Sequence, residues 1–180
     1  MSSPISMRDA TPGDASAIRH VAQASWRDTY RDIFEPTFIE DFLARNYSEA
    51  ALASAAAATR DGSVFLVATR DGAIAGYLHF GDGPRGPELF RIYADPPHYG
   101  TGVGSALLAE LHRRIEGTVD AYVLDVHSRN VRGRAFYDRN GFETVGGGAT
   151  EDCDLTLRRT LRPQGMHVTG SDPPHGSKEG

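Results

Sequence analysis

The sequence predicts one α/β (α+β) domain, a mixed sheet of about six to seven strands flanked by helices. Three observations carry this. The apolar pattern alternates between helical and strand-like segments throughout residues 1–161. Two strand–helix–strand units fall in the second half, which places strands and covering helices in one sheet. The 180 residues, 39% of them hydrophobic, suffice for one core of ordinary size.

Ile5 to Arg8 reads as the first strand. Thr11-Pro12 is a helix start, because proline fits a first turn. Ile18, Val21, Ala22, Ser25 and Trp26 then recur at helical spacing up to Tyr30. Pro36 opens a second helix carrying Phe38, Ile39, Phe42 and Leu43. Ser48 opens a third, alanine-rich helix, which Asp61-Gly62 breaks. Val64 to Ala68 is a strand, Asp71-Gly72 a hairpin signal, and Ala73 to Phe80 the returning strand. Gly81 to Pro87, with three glycines and two prolines, reads as a loop. Glu88 to Ala94 is a strand stopped by Asp95-Pro96-Pro97. The helix after it carries Val103, Leu107, Leu108, Leu111 and Ile115 on one stripe. Val119 to Val126 is a strand, and Asn130 to Asn140 a helix ended by Gly141. Phe142 starts a strand that the glycines at 146 to 148 interrupt, and Cys153 to Leu161 supplies the last strand. From Arg162 the chain is polar and rich in Pro, Gly and Ser, with the incidental His167 and His175. It reads as a disordered tail.

The net charge of −5 gives no support for nucleic-acid wrapping or a basic membrane-facing surface. One cysteine, Cys153, allows no disulfide within the chain. Nothing reads as a signal peptide or a transmembrane run, so a cytoplasmic location is expected. Neither His-Glu-x-x-His nor a cysteine pair marks a metal site.

The glycine-dense stretch DPPHYGTGVGSALL carries the strongest chemical signal. A Walker loop requires Lys after its last glycine, and Ser105-Ala106 follow Gly104. A dinucleotide fingerprint requires glycines at positions one, three and six, and neither Gly100 nor Gly102 starts such a set. The unpaired amides of Gly102, Val103, Gly104 and Ser105 at a helix N-terminus can hold a pyrophosphate without lysine. A plain loop before a glycine-softened helix start is the alternative that this stretch leaves open.

The stretch resembles the acyl-CoA signature of the GNAT superfamily of N-acyltransferases: Gln or Arg, two residues, Gly, one residue, Gly or Ala. Tyr99, Gly102 and Gly104 take these places, with Gly100 as the usual extra glycine. Tyr99 departs from the family's Gln or Arg. A second stretch, SRNVRGRAFYDRNGF, resembles the family's other segment through Asn130, Tyr137 and Gly141-Phe142. The element order matches from Ile5 to Leu161, so the resemblance covers nearly the whole of the expected ordered domain, 1–161.

The resemblance implies a mostly antiparallel sheet in which two parallel strands, Glu88 to Ala94 and Val119 to Val126, splay apart into an acyl-CoA cleft. It implies acetyl-CoA, or another short acyl-CoA, with its pantetheine arm along Ile92, Tyr93 and Ala94. The pyrophosphate then lies on Tyr99, Gly100, Thr101, Gly102, Val103, Gly104 and Ser105, and Asn130 contacts the arm or caps its helix. An amine attacks the thioester directly in a ternary complex, with Tyr137 as proton donor to the thiolate. Glu88 is the leading acceptor of the amine proton, through water, with Asp125, His127 and His79 as further options. Arg129, Arg132 and Arg134 are a solvated helix face or contacts to the nucleotide.

Trp26 and Tyr30, four apart on one helix face, form either an aromatic wall for a cationic amine or core packing. This hairpin is similar to that of spermine/spermidine-type acetyltransferases, and Asp32, Glu35, Glu40 and Asp41 add negative charge beside it. The expected partner is therefore a small-molecule amine, with Trp26, Tyr30 and His79 at its site. A peptide acceptor, or a non-catalytic acyl-CoA-binding module, are the alternatives. A homodimer is compatible with the family, and no feature here shows one independently.

Overall fold

The computed structural model describes residues 3–59, 62–148, 150 and 152–161. Asp61 and the tail from Arg162, with His167 and His175, lie outside the described residues. The chain runs β1 (Ser6–Asp9), α1 (Ala15–Tyr30), α2 (Pro36–Asn46), α3 (Glu49–Ala57), β2 (Val64–Arg70), β3 (Ala73–Gly83), β4 (Gly86–Ala94), α4 (Val103–Ile115), β5 (Ala121–His127), α5 (Val131–Arg139), β6 (Glu143–Gly147) and β7 (Asp154–Thr160). The sheet order is β1-β2-β3-β4-β5-β7-β6. Every neighbouring pair is antiparallel except β4 with β5.

Local chemistry explains the element starts. Asp14 accepts from the Thr11 amide at 2.8 Å and takes both Arg8 guanidinium nitrogens, at 2.7 and 2.8 Å. The 3-10 turn Pro12–Asp14 thus leads into α1 already capped. Ser48 Oγ accepts from the Ala51 amide at 3.2 Å and starts α3. At the β2–β3 turn, Asp71 and Gly72 take φ of 53° and 78°, the left-handed pair that a two-residue hairpin requires.

The apolar run of β2 serves two cores, one on each face of the sheet. Leu66 and Ala68 pack with Leu78, Leu124 and the stripe Leu107, Leu108 and Leu111 of α4. Phe65 and Val67 pack with Tyr77 and with Ile18, Val21, Leu43 and Leu52 of α1, α2 and α3. The helices on the two faces therefore meet only beyond the edges or through gaps of the sheet.

Two expectations are corrected. Gly81 to Pro87 is not a loop: Gly81 pairs with Glu88, Asp82 with Pro87 and Gly83 with Gly86, so a tight hairpin turns over Pro84-Arg85. The glycines supply the turn itself, with Gly86 at φ 96°, and sheet pairing overrides composition. The glycines at 146 to 148 do not cut β6 short, because it runs to Gly147 opposite Leu155. Among the described residues, no helix is long and apolar enough to cross a membrane.

Candidate active site

The site begins with one extra residue in β4. His79 faces Arg91 while Phe80 faces Leu89, so Phe90 is a bulge without a partner. A bulge bends its strand and increases its twist. The parallel register between β4 and β5 is confined to Glu88 opposite Val123. Beyond the bulge the strands part, and the edge Ile92–Ala94 faces a cleft of about 400 Å³. β5 contributes Asp125 and Val126 to its lining, α1 contributes Ser25, Thr29 and Tyr30, and α5 contributes Asn130 to Arg139 in part.

The glycine stretch closes one end. Gly102 stands at φ 91° immediately before α4, and the first intrahelical bond is Ala106 N to Gly102 O, at 2.9 Å. The amides of Val103, Gly104 and Ser105 consequently have no carbonyl partner within the helix. Gly100, Gly102, Val103, Gly104 and Ser105 all line the cleft. A Cβ on Gly104 would stand 3.0 Å from the Phe136 ring, so glycine there permits α4 and α5 to approach. Thr101 is not brought to the cleft. Its amide and Oγ1 both donate to His98 O, at 3.3 and 2.8 Å, and Oγ1 accepts from Arg70 Nη1 at 3.0 Å.

Tyr99, the departure from the signature, has defined partners. Its hydroxyl donates to Ser25 Oγ at 3.2 Å, and Arg132 Cζ lies 4.3 Å from its ring centroid.

Across the cleft, Asn130 Oδ1 accepts from the Gly133 amide at 2.8 Å and caps α5, while its side chain also reaches the lining. Tyr137 lines the cleft with its ring held between Phe136 and Phe142, both at 5.3 Å between centroids. Burial, reinforced by Tyr30, pushes the Tyr137 phenol well above the usual tyrosine range. Burial likewise pushes Tyr30 up to about 12, against the Asn130 side chain, which lowers it. Two protonated phenols therefore face one cavity.

Besides Thr101, three expected site residues lie elsewhere. Glu88 accepts from Arg85 at 2.9 Å at the closed end of the splay and does not line the cleft. Trp26 is 8% exposed, stacked on Phe42, with Nε1 donating to Tyr93 Oη at 3.0 Å. It is core packing, since burying an indole requires a partner for its N–H. His79 stacks on Phe65 at 4.6 Å, and burial, with Arg91 adding to it, lowers its pKa to about 4. The fold thus favours neutral His79. Its contribution to stability is complete above about pH 6.5 and declines as pH falls toward 4. Replacing His79 by Leu should flatten this slope, which is at most about 1.4 kcal/mol per pH unit. Urea unfolding at about pH 7 and about pH 5 measures it.

The cleft also holds residues that sequence reasoning missed: Ser25, Thr29, Phe90, Arg91, His98, Phe136 and Arg139. Arg139 had a signal, since it lies two turns beyond Arg132 on one helix face. Phe90 had none, because a bulge exists only relative to the partner strand.

A strand bent out of a sheet and followed by an amide-rich helix start, with a tyrosine-bearing helix opposite, defines the class: the fold is that of the GNAT acetyltransferases. Residues 61–144 match the acetyltransferase (GNAT) domain family. A spermidine N(1)-acetyltransferase of Thermoplasma acidophilum is 28% identical over 143 residues, covering 77% of this chain and 88% of that protein. The crystal structure of PaiA N-acetyltransferase from Thermoplasma acidophilum in complex with coenzyme A superposes with a TM-score of 0.80 at 25% identity. It covers 87% of this chain and 99% of that one. The ribosomal-protein-S18-alanine N-acetyltransferase from Escherichia coli shares the fold at a TM-score of 0.67 and 19% identity, over 92% of this chain and 99% of that one.

Proposed function

We infer that the chain transfers the acetyl group of acetyl-CoA to a primary amine of a small molecule, with polyamines as the acceptor class. The observation that carries this is the cleft opened by the Phe90 bulge and closed by the free amides of Val103, Gly104 and Ser105. The residues fit an acyl-CoA: an unpaired strand edge for an amide-bearing arm, and a helix start for a pyrophosphate. Arg132 and Arg139 add positive charge to the lining for phosphates. The likeness to a spermidine N(1)-acetyltransferase over 88% of that protein supports the acceptor class.

When bound, acetyl-CoA supplies an activated acetyl thioester. The backbone of Ile92, Tyr93 and Ala94 orients the arm, and the α4 amides hold the phosphates. Tyr137 Oη, which holds its proton, would supply that proton to the thiolate that leaves after the amine has added to the carbonyl. Asp125 is the sole carboxylate among the described cleft-lining residues, and Arg85 already neutralises it, with Nη1 and Nη2 donating to Oδ1 and Oδ2 at 3.1 and 2.8 Å. The acceptor's ammonium group therefore loses its proton toward solvent. Tyr30 borders the same space from α1.

The test is a turnover assay with acetyl-CoA against spermidine, spermine, aminoglycosides, amino acids and lysine peptides, reading free CoA. Turnover is expected with the polyamines. Turnover with lysine peptides alone would overturn the acceptor class, and cofactor binding without any turnover would overturn the enzyme.

A further inference from the structure

We propose that Arg132 is a latch on the acyl-CoA cleft: it ties α5 to Asp28 of α1 across the cleft, and the cofactor's phosphates compete with Asp28 for it. This rests on the acetyl-CoA reading above and goes beyond it, from binding to a coupling between the two halves of the site.

α1 and α5 belong to opposite faces of the sheet. Ile18, Val21 and Ala22 of α1 sit in the core that includes Phe65 and Val67. Phe136 and Tyr137 of α5 pack against the other core, with Leu107 and Leu124. Arg132 nevertheless reaches α1, with Nη1 donating to Asp28 Oδ2 at 2.8 Å. Such a contact between opposite faces has a path because β4 and β5 have separated there. Its route passes the cofactor space, since Arg132 itself lines the cleft.

Tyr99 completes the arrangement. Its ring lies 4.3 Å under the Arg132 guanidinium, and its hydroxyl donates to Ser25 Oγ. Ser25 and Asp28, three residues apart, share one face of α1. One face of α1, the glycine loop and the first turn of α5 thus form a ring at the cleft, and Arg132 is its movable member. A stacked guanidinium can turn in its plane over the ring without losing the stack, so Tyr99 acts as a pivot. This gives a use for tyrosine at the position where the resembling signature has Gln or Arg.

The direction of exchange follows from the strength of each partner. The Arg132 and Asp28 side chains are 53% and 26% exposed. An ion pair that open to water shifts an equilibrium by about fivefold at most. A pyrophosphate offers several charged oxygens to a planar fork of donors, and such charge-assisted contacts are stronger. Phosphates therefore draw Arg132 off Asp28 and remove one tie between α5 and α1, the helix that carries Thr29 and Tyr30 on the wall of the same cleft. Because binding couplings are reciprocal, an acceptor that engages α1 promotes acetyl-CoA binding by the same factor.

Calorimetric titration of acetyl-CoA into four proteins tests the latch: the parent, Asp28→Asn, Arg132→Gln and the double variant. Asp28→Asn removes the competitor and should tighten acetyl-CoA about two- to fivefold. Arg132→Gln removes the phosphate contact and should weaken it about tenfold. In the Arg132→Gln background, Asp28→Asn should then have no effect, since its gain acts only through Arg132. Equal or weaker binding by Asp28→Asn overturns the latch, as does unweakened binding by Arg132→Gln. The same gain from Asp28→Asn in both backgrounds also overturns it, because it marks a general charge effect. Failure of the parent to bind acetyl-CoA is a different result and sinks the functional reading itself.

Discussion

Replacement of Tyr137 by Phe is expected to lower kcat about 100-fold or more while leaving the acetyl-CoA Kd within about twofold. General acid catalysis contributes about 10²- to 10⁴-fold. The substitution removes the hydroxyl alone: the ring between Phe136 and Phe142 stays, so the cleft keeps its shape. The pH profile gives an independent reading. Burial raises the Tyr137 phenol well above its ordinary range and Tyr30 to about 12, so both keep their protons on the alkaline side. The parent's kcat should therefore show no loss from phenol ionisation up to about pH 10, where a free tyrosine would be half ionised. Stopped-turnover assays and calorimetry separate the two parameters. An unchanged kcat in Tyr137→Phe removes the residue from the mechanism.

Gly104→Val is expected to weaken acetyl-CoA binding about thirtyfold, within the range that overpacking of about 1–3 kcal/mol produces. A Cβ at this position already stands 3.0 Å from two atoms of the Phe136 ring, and the two valine methyls extend beyond it. Phe136 packs against the core around α4, so the ring has little room to yield. The start of α4 must move, and the amides of Val103, Gly104 and Ser105 lose their common aim. Because Phe136 precedes Tyr137, kcat should fall as well. Gly104→Ala should give a smaller effect in the same direction. An unaltered Kd for Gly104→Val, at an unaltered Tm, would remove the phosphate cradle.

The glycine loop and the Asn130–Tyr137 segment were legible because their chemistry is local. A left-handed residue before a helix, three free amides and an N-cap are all specified within a few consecutive residues, and the structure has them at Gly102, Val103 to Ser105 and Asn130. The buried stripe of α4 was legible for the same reason, since helical spacing fixes which side chains share a face. Trp26 was ambiguous by nature. Its spacing from Tyr30 fits a ligand wall and a core equally well, and the partner Tyr93 that decides for the core is far along the chain.

By itself the sequence determined the element order, the hairpin at Asp71-Gly72, the helix start that offers bare amides, and the placing of Tyr137 on the helix opposite. Tertiary structure alone decided the rest. It extended β3 and β4 through a stretch whose composition reads as loop, because pairing with a neighbour outweighs glycine and proline content. It made Phe90 a bulge, and that single unpaired residue separates β4 from β5 and opens the site. It drew Glu88 to Arg85 and His79 to Phe65, and it set Asp125, Arg139 and Arg132 around the cleft. The division has one physical cause. Turns, caps and faces depend on neighbours within a helical turn or two, whereas register, ion pairing and cavity lining depend on strands and helices that meet only after the chain has folded.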